Sequence, residues 1–281
     1  MPLIGMAGSS VMMMPVLEAL ETAIKLGFDA FEVFGEFPQC VCDELSEFQL
    51  SDVRNLAESA GMALCLHAPF NSLNIAALNP GARREAVRQV LSAIDACSAM
   101  GGKTVIVHNG DYLLSPQNRG KYSQAFDVQW KFNIESLKLC AEKALERNIT
   151  LCLENIGFEP HVIDRNIENL LEIKKEVDNP ALAFCLDIGH ARLNGELEKA
   201  IALMGPMVKH IHFTDNFGEK DDHIIIGSGN FDYTPCLDFI NKFEGVVTLE
   251  VINIGRNPEP ARLSLEYFKK NLLFSNHRKT F

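Results

Sequence analysis

Carboxylate and imidazole side chains recur in this chain at one kind of place, the carboxyl end of a short apolar segment. Six consecutive segments end in a residue that can ligate a metal: His67, His108, Glu154, Asp187, His212 and Glu250. Burying such groups without a partner costs free energy, so a buried strand alone has no use for them. Imidazole nitrogen and carboxylate oxygen together suit divalent cations. The pattern predicts a site for Mn2+, Co2+, Mg2+, Fe2+ or Zn2+.

Three further candidate ligands lie in the loops that follow these segments. His190 comes three residues after the fourth of them, in the stretch DIGHARL, within reach of a second metal or of a substrate. Asp221 and His223 are separated by one residue in DDHIIIGSGNFDY, a spacing that lets both side chains chelate one ion. The same stretch contains Gly227 and Gly229, whose backbone N–H groups could hold an anionic group in a tight turn.

Eight short apolar segments alternate with amphipathic stretches along the chain. The segments are LIGMAG (3–8), AFEVFGE (30–36), ALCLHAP (63–69), TVIVHNG (104–110), TLCLENI (150–156), LAFCLDI (182–188), VKHIHFTD (208–215) and VVTLEVI (246–252). Each is typical of a fully buried strand. Several of the stretches between them end in Gly, Asn or Pro, which stop helices. Eight such units predict an α/β fold, a single-domain (β/α)8 TIM barrel over residues 1–281. An open doubly wound sheet is the alternative, but no GxGxxG motif follows the first segment.

The carboxyl ends of barrel strands open on one face, which would bring the candidate ligands together. Side chains alternate along a strand, so residues two apart share a direction. If the terminal ligands point inward, Cys65, Cys152 and Cys185 fill the layer beneath them. His210 then lies one layer below His212, and we expect it to be a hydrogen-bonded core histidine. We expect His161 and His277 to be an ordinary loop residue and a tail residue.

Composition narrows the class of protein. The chain has 281 residues, 47% of them hydrophobic, which is enough for one large core. The eight cysteines form no CxxC pair, the N-terminus lacks a basic signal-peptide region, and no apolar stretch could span a bilayer. We therefore expect a cytoplasmic location and no membrane partner; a homo-oligomer is compatible with this fold class. The net charge of −11 disfavours nonspecific nucleic-acid binding.

Six motifs together resemble one known group of proteins. They are LHAPFNSLNIAALNP, VIVHNGD, LCLENIG, CLDIGHARLNG, HIHFTDNFGEKDDHIIIGSGNFDY and TLEV, and they extend over nearly the whole chain. The chain is similar to the xylose-isomerase-like barrel superfamily, which includes sugar-phosphate isomerases and epimerases and also endonuclease IV. These motifs are specific to the superfamily but separate its members poorly.

The isomerase and epimerase branch implies one divalent metal and a small carbohydrate substrate. By resemblance, the metal ligands would be Glu154, Asp187, His212 and Glu250. The implied reaction removes a proton next to a carbonyl group through an enediolate, with Glu154 and Glu250 exchanging the proton. The implied substrate-binding residues are His190, together with His67 and His108.

The resemblance to endonuclease IV implies a different activity, in which a site with three Zn2+ ions cleaves DNA at an abasic position. All nine of its ligands have a counterpart here: His67, His108, Glu154, Asp187, His190, His212, Asp221, His223 and Glu250. Three other features depart from endonuclease IV. Few positive charges occur in the loop NGDYLLSPQNRGKYSQ, and the sequence HNG stands where HPG is common. In DDH an acid lies between the two candidate ligands. The sequence therefore favours the carbohydrate branch and keeps the nuclease as the alternative. A noncatalytic binding barrel is disfavoured because both Glu154 and Glu250 are retained.

Overall fold

A computed structural model describes residues 1–156, 161–163 and 166–273, apart from the side chain of residue 116. His277 lies outside these described residues. Eight parallel strands close into one barrel in chain order. They are β1 (Leu3–Ala7), β2 (Ala30–Phe34), β3 (Ala63–His67), β4 (Thr104–Val107), β5 (Thr150–Glu154), β6 (Leu182–Asp187), β7 (Val208–Phe213) and β8 (Val246–Leu249). Since β1 pairs with β8, with Leu3 opposite Val246, the predicted (β/α)8 barrel is confirmed and the open sheet is excluded.

Helices follow the strands around the outside of the barrel. They are α1 (Val16–Leu26), α2 (Glu47–Ala60), α3 (Pro80–Ala99), α4 (Ser123–Glu146), α5 (Ile167–Val177), α6 (Ile188–Leu193), α7 (Leu197–Met204), α8 (Thr234–Lys242) and α9 (Glu259–Asn271). The short α6 starts directly after β6, so the first helical turn lies at the mouth of the barrel. Among the residues that the structure describes, no helix combines the length and the apolarity that a bilayer crossing requires.

Local sequence explains where several helices begin and end. Ser46 and Gln49 form a reciprocal capping box at the start of α2. The side chain of Asn79 accepts hydrogen bonds from the first turn of α3. Gly27 ends α1 with φ 80° and Gly61 ends α2 with φ 65°, in the left-handed region that glycine adopts at little cost.

Small side chains fill the barrel just below its mouth. Cys65, Cys152 and Cys185 form one buried cluster with Ile106 and Ala183. The predicted layer of cysteines beneath the candidate ligands is therefore confirmed. All eight cysteines of the chain are free. A layer of small residues leaves room above it for the larger imidazole and carboxylate groups.

Register between neighbouring strands sets the candidate ligands side by side. Asp187 at the end of β6 pairs with His212 on β7, and Glu154 at the end of β5 pairs with Cys185, two residues before Asp187. Because parallel strands run in the same direction, their terminal residues share one edge of the barrel. His108 and Glu250 lie one residue beyond β4 and β8, in the same layer of the mouth.

We predict that Gly189→Ala lowers the free energy of unfolding by about 1–3 kcal/mol, the usual cost of overpacking. A Cβ at Gly189 would overlap the hydroxyl of Thr214, where α6 packs closely on the chain after β7. Urea denaturation followed by circular dichroism measures the change. Gly120→Ala is the control, because a Cβ there meets no heavy atom within 4 Å and should leave stability unchanged. Equal stability of the two variants would contradict the close approach.

Candidate metal and active site

Four buried side chains converge at the centre of the barrel mouth. Ligand atoms of Glu154, Asp187, His212 and Glu250 all lie within 4.8 Å of one another. His212 Nδ1 lies 3.1 Å from Glu154 Oε1 and 3.3 Å from Glu250 Oε2. Glu154, Asp187 and His212 are each at most 1% exposed, and the Glu250 side chain is 12% exposed. This central cluster has the donor types and spacing of a divalent-metal site.

Two carboxylate oxygens of the central cluster lack the partners that buried polar groups normally have. Asp187 Oδ1 accepts a hydrogen bond from the His190 backbone N–H at 2.7 Å, while Asp187 Oδ2 is buried without a hydrogen-bond partner. Glu250 Oε2 is also buried without one. Buried acceptors in native proteins are almost always satisfied, or explained by an ion or a water. The central cluster therefore fits a divalent cation, which would complete both oxygens.

A second group of possible ligands shares Glu154 with the central cluster. Glu154 Oε2 lies 3.3 Å from His67 Nε2 and 3.1 Å from His108 Nε2, and the two Nε2 atoms are 3.2 Å apart. His67 Nδ1 donates to the carbonyl of Ala68 at 2.9 Å. In a neutral ring this leaves the lone pair on His67 Nε2, the atom that faces the shared carboxylate.

A third group lies towards the loops. Asp221 Oδ2 is 3.0 Å from His190 Nε2 and 2.9 Å from His223 Nε2. His190 Nδ1 donates to the carbonyl of Asn155 at 2.9 Å, which orients Nε2 towards Asp221. The structure thus brings all nine candidate residues into three adjoining groups: His67, His108, Glu154, Asp187, His190, His212, Asp221, His223 and Glu250.

Sequence reasoning missed Glu32, a buried acid on β2. Its carboxylate lies 2.8 Å from His210 Nε2, 3.1 Å from His212 Nε2 and 3.1 Å from the Thr248 hydroxyl. The available signal was an acid flanked by Phe31 and Val33 inside the segment AFEVFGE. His210 also hydrogen-bonds Thr248, at 2.9 Å, so the expectation of a hydrogen-bonded core histidine is confirmed.

The anion-binding turn expected at Gly227 and Gly229 needs correction. Their backbone N–H groups donate to Asp215 Oδ2 at 2.8 Å and 2.9 Å, so the chain's own carboxylate occupies the turn. Asp215 is 1% exposed. The turn therefore holds the loop after β7 in place and is not open to a ligand anion.

A cavity of about 490 Å³ lies over the three ligand groups, within the range of small-molecule sites. One wall consists of the ligand side chains; the other includes Phe70, Leu73, Ile156, Val162 and Ile252. His161 also lines the cavity, although the sequence indicated only an ordinary loop residue.

Phe70 is a second feature that the sequence did not reveal. Its ring centroid lies 4.5 Å from that of His108 and 5.1 Å from that of His67. Glu36 accepts hydrogen bonds from the backbone N–H groups of Phe70 and Asn71, both at 2.7 Å, and so fixes the loop after β3. The ring of Phe70 thus borders the ligand groups. The loop that carries Phe70 contains no candidate metal ligand after His67.

Two arginines near the barrel mouth are engaged within the protein. Arg192 donates to Asn216 and Asn230 and stacks over Phe231, with 4.6 Å from the guanidinium carbon to the ring centroid. Arg256 forms an ion pair with Glu18. Among the described residues that line the cavity, the charged groups other than histidine are all acids: Asp111, Glu154, Asp221 and Glu250. The cavity wall therefore attracts cations.

Charge balance in the metal-free site shifts several pKa values. Burial raises the pKa of Glu154, but the positive charge of His212 and hydrogen bonds from His108, His212 and His67 outweigh it and hold the pKa well below its usual range. Burial raises the pKa of Asp187 to about 6. Burial lowers the pKa of His223, but Glu250 and Asp221 outweigh it and raise the pKa to about 9.

Comparison with known proteins establishes the family. Residues 20–271 match the family described as the xylose isomerase-like TIM barrel. The chain belongs to this family. An uncharacterized protein of Methanocaldococcus jannaschii is 29% identical over 93% of this chain and 88% of its own length.

Relatives with named activities fall in both branches that the motifs suggest. Fructoselysine 3-epimerase of Shigella flexneri is 26% identical over 91% of this chain and 93% of its own. The crystal structure of a D-tagatose 3-epimerase-like protein matches with TM-score 0.80 and 27% identity, covering 95% of this chain and 96% of that one. Probable endonuclease 4 of Mycobacterium leprae is 22% identical over 74% of this chain and 81% of its own.

We predict that the metal-free protein loses stability as the pH rises from 6.5 towards 9. The pKa of His223 is raised from 6.5 to about 9, and the pKa values of His190 and His212 are also raised. The folded state therefore keeps protons that the unfolded chain has released, so this stabilisation is complete below pH 6.5 and is lost through about pH 9.

Thermal unfolding in chelator at several pH values up to 8.5 measures this slope. Saturating Mn2+ should reverse it, because the cation replaces the protons and binds better as they leave. His223→Gln is the matched variant and should flatten the slope in chelator. A melting temperature that stays constant or rises with pH in chelator would refute the assignment.

Proposed function

We propose that this chain is a divalent-metal-dependent carbohydrate isomerase or epimerase that moves a proton next to a carbonyl group. The observation that carries the proposal is the central cluster with its two unpartnered carboxylate oxygens at the floor of the cavity. Similarity to fructoselysine 3-epimerase and to the D-tagatose 3-epimerase-like protein supports a sugar as the substrate class.

In this proposal Glu154, Asp187, His212 and Glu250 hold one divalent cation. When bound, the cation would polarise the carbonyl and neighbouring hydroxyl oxygens of the sugar and stabilise an enediolate. His67, His108 and His190 face the same space and are placed to bind substrate hydroxyl groups. Asn155 fixes Asp187 from behind, because its Oδ1 accepts from the Asp187 N–H and its Nδ2 donates to the Asp187 carbonyl.

Glu250 and Glu154 are the proposed acid–base pair. The Glu250 side chain is partly open to the cavity, whereas that of Glu154 is 2% exposed and held by three histidines. One carboxylate removes the proton and the other returns it. Return to the opposite face of the same carbon gives an epimer, and return to the neighbouring carbon gives an isomer.

The cavity wall favours a neutral sugar over a sugar phosphate. The described residues that line the cavity include no lysine or arginine, so a phosphate group would find no basic side chain there to pair with. Phe70 and Ile252 offer apolar contact for the carbon faces of a sugar ring or chain.

We predict that Glu154→Gln and Glu250→Gln each lower turnover by at least about 100-fold, the usual contribution of a positioned acid or base. Solvent deuterium uptake into a panel of ketoses, followed by NMR, measures proton removal even where net conversion is small. Asp222→Asn is the control, since Asp222 is an exposed acid beside Asp221 and has no proposed role. Full activity in either glutamine variant would refute the acid–base assignment.

The nuclease remains a second candidate because two further ligand groups adjoin the central cluster. Three Zn2+ ions in these groups would suit cleavage of a phosphodiester at an abasic site, with water as the nucleophile. The acidic cavity wall and the net charge of −11 do not favour a DNA partner.

Metal content separates the two candidates. We predict about one divalent cation per chain in protein purified without chelator, with loss of ketose deuteration on chelation and recovery when Mn2+ or Co2+ is returned. Elemental analysis and the NMR assay give both results. Three Zn per chain with cleavage of an abasic-site duplex would instead establish the nuclease. Ketose activity that survives complete metal removal would refute the metal requirement.

A further inference from the structure

We propose that Glu32 is a positioning residue that holds His212 with Nδ1 facing the metal site. The inference rests on the proposed function, because it concerns a ligand of the proposed cation. Glu32 is not a member of the central cluster and lies on the opposite side of the His212 ring from it. It is 2% exposed, so a reason for burying its charge is required.

The two edges of the His212 ring face different groups. Nε2 lies 3.1 Å from Glu32 Oε1, and Nδ1 lies 3.1 Å from Glu154 Oε1. Glu32 Oε2 also lies 3.2 Å from the same Nε2 atom. A carboxylate accepts hydrogen bonds, so in the neutral ring Nε2 is the nitrogen that carries the proton. A neutral His212 then has its lone pair on Nδ1, directed at the central cluster.

Glu32 is itself held in place by its neighbours. Its Oε2 lies 2.8 Å from His210 Nε2 and accepts a hydrogen bond from the Thr248 hydroxyl at 3.1 Å. Gly5 on β1 leaves space for this arrangement, because a Cβ there would come within 3.1 Å of the Thr248 Oγ1 atom. With both oxygens engaged by three side chains, Glu32 cannot rotate away from His212 without breaking the others.

A separate metal at Glu32, His210 and His212 is the competing interpretation, since their ligand atoms also lie within 4.8 Å of one another. The hydrogen bonds argue against it. Glu32 Oε2 accepts hydrogen bonds and Oε1 lies 3.1 Å from His212 Nε2, whereas the central cluster contains two buried carboxylate oxygens without a hydrogen-bond partner. An ion at Glu32 would have to displace those donors and remove the proton from His212 Nε2. Glu32 therefore serves as the hydrogen-bond acceptor that fixes the ring.

Titration of the chelator-treated full-length protein with Mn2+, followed by calorimetry, tests the inference. Glu32→Gln should weaken Mn2+ binding by about 10–100-fold, the usual cost of losing a carboxylate behind a metal-binding histidine. Thr248→Val, a milder change that removes one donor to Glu32, should weaken it less but in the same direction.

Asp222→Asn is the control. Asp222 is an exposed acid in the loop after β7, and its replacement removes the same charge near the site without touching His212. Its Mn2+ affinity should stay at the wild-type value. If Glu32→Gln does not fold, as shown by circular dichroism, the Thr248→Val affinity decides.

The Co2+-loaded proteins provide a second readout, independent of turnover. The visible Co2+ absorption spectrum should change in Glu32→Gln and remain as in the wild type in Asp222→Asn, because only Glu32 orients a ligand. Wild-type affinity and spectrum in the Glu32 variant, or equal losses in both variants, would overturn the role of Glu32. A wild-type protein that binds neither Mn2+ nor Co2+ would overturn the proposed metal-dependent function, and with it this inference.

Discussion

The mutual burial of carboxylates and imidazoles at the barrel mouth is the constraint on which the site depends. Glu154 is almost fully enclosed, and His67, His108 and His212 together surround its two oxygens. Neither the acid nor the rings would be buried alone, because a lone charge in an apolar interior carries a large desolvation cost. The groups are stable there only as a set, and the two unpartnered oxygens of Asp187 and Glu250 fit the cation that the proposed function requires.

The barrel supplies what such a set needs. Eight parallel strands end on one edge, so residues distant in sequence approach within hydrogen-bonding distance at the mouth. The buried layer of cysteines below the mouth fills the barrel interior, and its side chains are small enough to leave room above for the imidazole rings. Asp215 fixes the loop after β7, and Glu36 fixes the loop after β3, so the site is bounded by loops that have internal hydrogen bonds.

The relatives of this chain include an epimerase and a probable endonuclease, so the surroundings of the ligand groups must distinguish between the two activities. Phe70 and Ile252 make one side of the cavity apolar, and acids rather than basic residues supply its remaining described charges. Arg192 and Arg256, which could have contacted a phosphate, are engaged by Asn230 and Glu18 instead. These contacts support a small neutral substrate, whereas counting ligands alone supports neither branch over the other.

The sequence by itself determined the barrel and the nine candidate ligands, because both follow from local patterns. Strand length and alternation predict which residues end a strand and which point inward, and His67, Glu154 and Asp187 obey that rule. The same patterns show that residues able to bind a metal stand at the strand ends. A local sequence pattern does not give the distances between residues on different strands.

Only the tertiary structure decided which groups meet. Glu32 and His212 are 180 residues apart and touch because the pairing of β1 with β8 closes the barrel and brings β2 within reach of β7. Phe70 borders His108 because Glu36 holds its loop, and the turn at Gly227 is filled because Asp215 reaches it across 12 residues. Each of these contacts depends on barrel closure and on loop paths, which are set by packing of the whole chain and leave no mark in a local sequence pattern.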